Sequence, residues 1–167
     1  MFGDLKTTPL PVTHGASLAG YAELARSVGL DANVMLRSAG LNRHVLNDPE
    51  ASVGLEAACK LLEASAEACG VEDFGLRLAA LRDLSNLGPI GLVAREATTA
   101  MQALDTVCRY LCLISASLMV RIEHQNDLVA IRAYVLLPPS TRRKQAMELT
   151  VGMLYRIEVA SLVRTVI

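Results

Sequence analysis

The hydrophobic period of this chain changes at Leu118, and that change limits the fold more than any other feature. Up to Ile114, apolar side chains recur every three or four positions, as they do on helices. From Leu118 they alternate. Leu118, Val120 and Ile122 share one face, Met119, Arg121 and Glu123 the other, and Val129, Ile131, Ala133 and Val135 form a second such run. Gln125-Asn126-Asp127 supplies the turn between them, so the pair reads as a β-hairpin. After Pro138-Pro139 the helical period returns. The expected fold class is α+β: a mainly helical domain with a small antiparallel β-hairpin or sheet.

Glycines punctuate the helical part. A first helix is expected from about Ala16 to Val28, with Leu18, Tyr21, Leu24 or Ala25, and Val28 on one face and Gly29 as its left-handed stop. Asp31 is placed to cap a second, Ala32–Ala39, closed by Gly40. The stripe Leu55, Ala58, Cys59, Leu62 and Ala66 marks a helix over Leu55–Cys69, ended by Gly70. Phe74–Arg82 reads as a short helix burying Phe74, Leu78 and Leu81, and Gly88-Pro89 as another helix start. Thr98 or Thr99 caps a helix whose inner face is Met101, Leu104, Val107, Cys108, Leu111 and Ile114. Ser140 or Thr141 opens the last helix, with Ala146, Leu149, Met153, Leu154 and Ile157 inward. Beyond Glu158 apolar residues spread round that helix, so a covering segment is expected past Ile167. Residues 1–14 are expected to be a flexible segment and 15–167 a single domain, long enough to bury its own core.

Composition narrows the function. Apolar residues make up 52% of the 167, and mean hydropathy is +0.36. Yet the longest uncharged apolar blocks, Leu84–Ala94 and Tyr110–Val120, have 11 residues each. A bilayer span needs about 20, so no membrane contact is expected, and residues 1–13 lack a signal-peptide core. Lys and Arg total 16 against 17 Asp and Glu, a net charge of −1, without the basic excess of a nucleic-acid reader. Tyr21–Leu41 has helix-turn-helix spacing, but its second helix offers a base only Arg37 and stops at Gly40, so a plain helical hairpin is expected. Cys59, Cys69, Cys108 and Cys112 form no CxxC and sit in helical apolar patterns, as reduced thiols packed like small hydrophobes do; a cytoplasmic setting follows. His14, His44 and His124 lie far apart, and there is no G-x-S-x-G turn or phosphate loop. No metal, cofactor or catalytic residue is expected.

The order of several short motifs says more. Asp48-Pro49-Glu50-Ala51, Gly75-Leu76-Arg77-Leu78, Gly88-Pro89-Ile90-Gly91, Gln102-Ala103-Leu104 and Arg109-Tyr110 follow one another along the chain. Over roughly Gly15 to Leu162 this order resembles the N-terminal effector-sensing, arabinose-binding-like domain of AraC-type bacterial transcription regulators. The resemblance implies a non-enzymatic domain that binds a small-molecule effector and forms a homodimer. It also implies that DNA is contacted only through a helix-turn-helix domain C-terminal to Ile167, and that the sensor itself continues past that residue.

Ligand-binding candidates gather at the Gly88 motif, namely Leu87, Gly88, Ile90 and Leu92, and at Arg109 and Tyr110 on the following helix. A helix start presents free N–H groups, and Arg77, Arg95 and Arg109 are candidate clamps for an effector carboxylate. The plainer alternatives are a glycine that permits close packing and arginines in surface ion pairs. Leu149, Met153, Leu154 and Ile157 are the candidate dimerisation face, unless that face caps the hairpin. Arg142-Arg143-Lys144 reads as a solvated run in the first turn of the last helix, or as a surface for an acidic partner. Two rival functions stay open: a thiol-dependent redox or enzyme domain using Cys108 or Cys112, which needs a lowered thiol pKa, and a scaffold that binds only protein.

Overall fold

The computed structural model describes residues 11–82, 88–113, 115, 118–126 and 128–165, with side chains for all but 100, 112, 124, 125, 128 and 158–165. In chain order they form β1 (Val12–His14), a 3-10 turn (Gly15–Leu18), α1 (Tyr21–Ser27), α2 (Ala32–Ser38), a 3-10 turn (Arg43–Leu46), β2 (Ser52–Gly54) and α3 (Leu55–Cys69). Then follow α4 (Phe74–Ala80), α5 (Pro89–Arg95), α6 (Ala100–Tyr110), β3 (Leu118–Gln125), β4 (Leu128–Val135) and α7 (Lys144–Thr165). The class is the expected one, mainly helical α+β.

β3 and β4 pair antiparallel, Leu118 opposite Val135 and Ile122 opposite Ile131, which keeps their alternating apolar residues on one face. β1 and β2 form a second antiparallel ribbon, and a bridge from Thr13 to Ser115 brings it against the start of the hairpin. The ordered fold thus begins ahead of Gly15, because Val12–His14 pairs with Ser52–Gly54. Gly15 and Ala16 donate to the carbonyls of Ala51 and Pro49, at 2.8 and 2.9 Å. A Cβ on Gly15 would stand 2.2 Å from the Asp48 oxygen, so the Asp48–Ala51 turn and the Gly15–Leu18 turn fit only with glycine there.

Several helix ends follow from local chemistry. The Asp31 carboxylate accepts from the N–H groups of Asn33 and Val34, at 2.8 and 3.2 Å, and the Thr99 hydroxyl accepts from Gln102; both are N-caps. The first helix departs from expectation. Gly20 takes φ 81° and separates the 3-10 turn from α1, so the helical run is broken rather than continuous from Ala16. α7 begins at Lys144, after the turn that Thr141 closes on Pro138, and not at Ser140 or Thr141.

α7 is the axis of the core, packing on α3, α4, α6 and β4. Its closest approach is to α4, where a Cβ on Gly75 would lie 2.0 Å from the Gln145 carbonyl oxygen and one on Gly152 2.6 Å from Ala79 Cβ. The Arg142-Arg143-Lys144 run is solvated at Arg142 and Lys144, as expected, but each of its three side chains already has a partner within the chain. Arg142 pairs with Glu67, Arg143 donates to the Val135 carbonyl, and Lys144 donates to the Glu72 carbonyl. Buried Glu63 accepts from the Gln145 N–H at 2.7 Å, placing a carboxylate at the start of α7, where the helix dipole favours it. A second centre joins Tyr21 and Phe74, ring centroids 6.1 Å apart. The Ser65 hydroxyl donates to the Leu61 carbonyl, which leaves the Tyr21 hydroxyl to donate to Ser65 at 2.7 Å.

Candidate functional site

A cavity of about 110 Å³ lies inside the domain, between α3, α7, the end of α6, the base of the hairpin and the Gly15–Leu18 turn. Its wall follows from helical periodicity. Leu55, Ala58, Cys59 and Leu62 are the α3 stripe, while Leu149, Met153, Leu154 and Ile157 are the facing stripe of α7. Leu118 and Val135, an opposed pair, close the hairpin side.

Two polar side chains stand out on this apolar surface. Arg82 is only 5% exposed. Its Nη2 donates to the Ala16 carbonyl at 2.8 Å and its Nη1 to the Ser17 carbonyl at 3.3 Å. Its Nε is buried with no hydrogen-bond partner among the described residues, and the Ser17 hydroxyl is in the same condition. Both residues line the cavity. Burial away from water pulls the Arg82 pKa down to about 10, and among the described residues no carboxylate forms an ion pair with it. A desolvated cation with an unused donor is costly and therefore informative.

The residues singled out from sequence lie elsewhere. Arg77 pairs with Asp73 at 2.9 Å and Arg109 with Asp105 at 3.0 Å, both on helix surfaces. Arg95 ends α5, half-buried, Tyr110 is exposed at the end of α6, and Leu92 is 62% exposed. Ile90 is buried in the core without reaching the cavity, and Leu87 falls outside the described residues. Gly88 has φ 58° and open space where a Cβ would stand, so backbone conformation, not close packing, requires glycine there. The face expected to dimerise is internal: Leu149, Met153, Leu154 and Ile157 are 8%, 8%, 6% and 2% exposed, and all four line the cavity. A helical stripe looks the same whether it is buried within one chain or between two.

Sequence reasoning missed Arg82 and Ser17. A signal existed, since Arg82 continues the Phe74, Leu78 stripe at the same four-residue spacing. The expected third member, Leu81, is instead 46% exposed. Cys59 and Cys108 are poor nucleophiles. Burial, helped by the charge of Glu63, pushes Cys59 up to about 11, and burial with Asp105 does the same to Cys108. The Cys112 side chain is outside the described set. Among the described residues no group of His, Cys, Asp and Glu could hold a metal ion, and no helix is long and apolar enough to cross a membrane.

This is the architecture of a small α+β domain folded around an internal, mostly apolar hollow with one buried cation on its wall. Residues 29–163 match the family described as the arabinose-binding domain of AraC transcription regulators, N-terminal. The chain belongs to that family. It is 35% identical over 107 residues to the HTH-type transcriptional regulator VirS of Mycobacterium tuberculosis, in both strain CDC 1551 / Oshkosh and strain ATCC 25618 / H37Rv. Each alignment covers 64% of this chain and 32% of the relative, so the chain spans about a third of the length of these curated relatives. Family and relatives are transcriptional regulators, not enzymes.

Proposed function

We propose that this chain is the effector-sensing domain of a helix-turn-helix transcription regulator. A small molecule enters the cavity between α3 and α7 and biases how α7 packs, and DNA is read by polypeptide outside residues 1–167. The observation that carries this reading is the cavity itself: an apolar hollow inside the core, rimmed by a few polar groups, is the usual form of a small-molecule site. A ligand shifts a conformational equilibrium only through unequal affinity for the two states. A wall formed by the helix that also contacts α4, α6 and β4 provides such a difference. The relatives, helix-turn-helix regulators with two thirds of their length outside the match, support the assignment of DNA reading to another segment. A cytoplasmic homodimer belongs to the same reading, its contact surface lying off the inner face of α7.

The test is a thermal-shift screen of the chain against amino acids, organic acids, sugars and alcohols, since a ligand of the folded state raises its apparent stability. Hits are repeated on Ala58→Leu and, as a second filling variant, Ala146→Leu. Loss of the shift in both, with melting still cooperative, supports the cavity as the site. An undiminished shift in both moves the ligand elsewhere and ends the proposal. Sedimentation equilibrium decides the dimer: a strict monomer removes it.

A further inference from the structure

We infer that the cavity takes a short aliphatic monocarboxylate, held head-on by the Arg82 guanidinium and the Ser17 hydroxyl. The inference rests on the cavity being the effector site and adds the chemistry of its occupant.

Arg82 sits in the wall with its charge desolvated and without a carboxylate partner among the described residues. Its terminal nitrogens each spend one donor on a neutral backbone carbonyl, so among the described residues the positive charge is uncompensated and Nε is unused. Ser17, whose carbonyl receives one of those bonds, has its own hydroxyl buried and unpartnered on the same cavity. A planar cation beside a hydroxyl donor is the donor set that carboxylates accept from. A sugar needs acceptors and donors distributed around the pocket. Here most of the remaining wall is hydrocarbon, from Leu18, Leu62, Val107, Leu111, Met153 and Ile157, and of its other polar side chains, Thr13, Ser115 and Thr150, the last spends its hydroxyl on the Ala146 carbonyl. Binding the anion would satisfy the orphan hydroxyl and neutralise the buried charge, while the chain fills apolar space.

Size sets the length. A cavity of about 150 Å³ admits benzene, and this one measures about 110 Å³. Being smaller, it suits a ligand of no more than roughly six non-hydrogen atoms, with butanoate at the upper limit. Longer acids need the α3–α7 gap to widen.

Titration calorimetry and melting curves of the intact chain with propanoate, butanoate and 3-methylbutanoate, against 1-butanol, butanamide and inorganic phosphate, test the idea. Butanoate is expected to bind saturably and at least tenfold more tightly than butanol or butanamide, with phosphate inert. Arg82→Met should abolish the tenfold preference for the acid, with the far-ultraviolet circular dichroism and cooperative melting retained. Should Arg82→Met fail to fold, Arg82→Lys and Ser17→Ala carry the test, each expected to weaken butanoate binding several-fold. Equal affinity for acid and alcohol, or binding indifferent to these substitutions, overturns the carboxylate assignment and leaves the cavity standing as an effector site. If acid, amide and alcohol all fail to bind while the screen finds another ligand displaced by Ala58→Leu, the inference falls and the sensing role survives. If nothing binds the cavity at all, both fall.

Discussion

Arg156 Nε, on α7, donates a 2.7 Å hydrogen bond to the backbone carbonyl of Arg82. The helix that walls the cavity therefore also holds the segment from which the buried guanidinium reaches inward. Arg82 in turn grips the Gly15–Leu18 turn through the carbonyls of Ala16 and Ser17. Cavity, α7 and the N-terminal turn thus meet at one residue, Arg82, whose backbone is held by α7 and whose side chain holds the turn.

Arg156→Met tests that relationship. It keeps most of the aliphatic stem and removes the charged donor to the Arg82 carbonyl. Hydrogen bonds from charged groups contribute about 1.5–3 kcal/mol when buried. This one is only partly buried, so a loss of about 1–2 kcal/mol is expected. It should appear as a lower urea midpoint with an unchanged m-value. A midpoint within experimental error of wild type would show that α7 and Arg82 are not energetically joined.

The α4–α7 seam should be the least tolerant part of the molecule. In Gly75→Ala the new methyl carbon would meet the Gln145 carbonyl oxygen at 2.0 Å and its carbon at 2.9 Å, both main-chain atoms. The helices must separate, which also loosens the 2.7 Å bond from Gly75 N–H to the Gln145 side chain. Overpacking of this kind costs about 1–3 kcal/mol or more. Gly29→Ala is the control. Its φ is +79° but nothing lies within 4 Å, so only backbone strain of about 1–2 kcal/mol is expected. Thermal denaturation should rank Gly75→Ala as the more damaging; the reverse order would mean that the seam yields easily.

Where local chemistry decides, the sequence was readable. The α3 bounds follow to the residue from its apolar stripe and from Gly70, whose φ of 69° closes the helix. The hairpin register follows from alternation, since a slip by one would turn Leu118, Val120 and Ile122 outward. Where tertiary contact decides, it was not. Gly20 breaks the first helix through a conformation that no periodicity announces. The inner stripe of α7 reads as a dimer surface until α3 and α4 are seen to cover it. The candidate site suffers most, because a sequence-level argument expects arginine to face water. Arg77 and Arg109 do so. Arg82 does not, and only the four-residue spacing from Phe74 through Leu78 hints at it.

Alkaline pH should weaken the fold through Cys59. This thiol is fully buried, and its pKa is pushed up to about 11. Above about pH 9 the unfolded chain loses the Cys59 proton while the folded chain keeps it. The folded state then binds more protons, and its stability falls as pH rises, until both forms are ionised above about 11. The full effect is on the order of 2–3 kcal/mol. Tyr21, also raised by burial, adds a fall of the same sign above pH 10. Urea midpoints at pH 8, 9 and 10.5 should decline, and less steeply in Cys59→Ala. Native-state alkylation at pH 8 should leave Cys59 unlabelled; rapid labelling would contradict its burial and revive a thiol-based role.

Arg82→Met separates a binding residue from a structural clamp by its effect on the ligand-free chain. Below pH about 10, folded and unfolded chains both carry the charge, and the folded one bears the cost of keeping it dry. Above about 10 the folded chain releases its proton before the unfolded one does, so this group's contribution to stability rises with pH, opposite in sign to that of Cys59. That cost is on the order of 3 kcal/mol. Against it stand the hydrogen bonds to Ala16 and Ser17, whose net contribution is about 1 kcal/mol each. Methionine removes both terms and still occupies most of the space. Ligand-free stability at pH 7 should therefore hold steady or rise by about 1 kcal/mol, a change within reach of urea titration. Destabilisation beyond about 2 kcal/mol would make the carbonyl contacts dominant and Arg82 a fastener for the Gly15–Leu18 turn. A neutral or stabilising result, by contrast, leaves an arginine that the fold alone does not need, as expected of a charge kept dry for an anionic ligand.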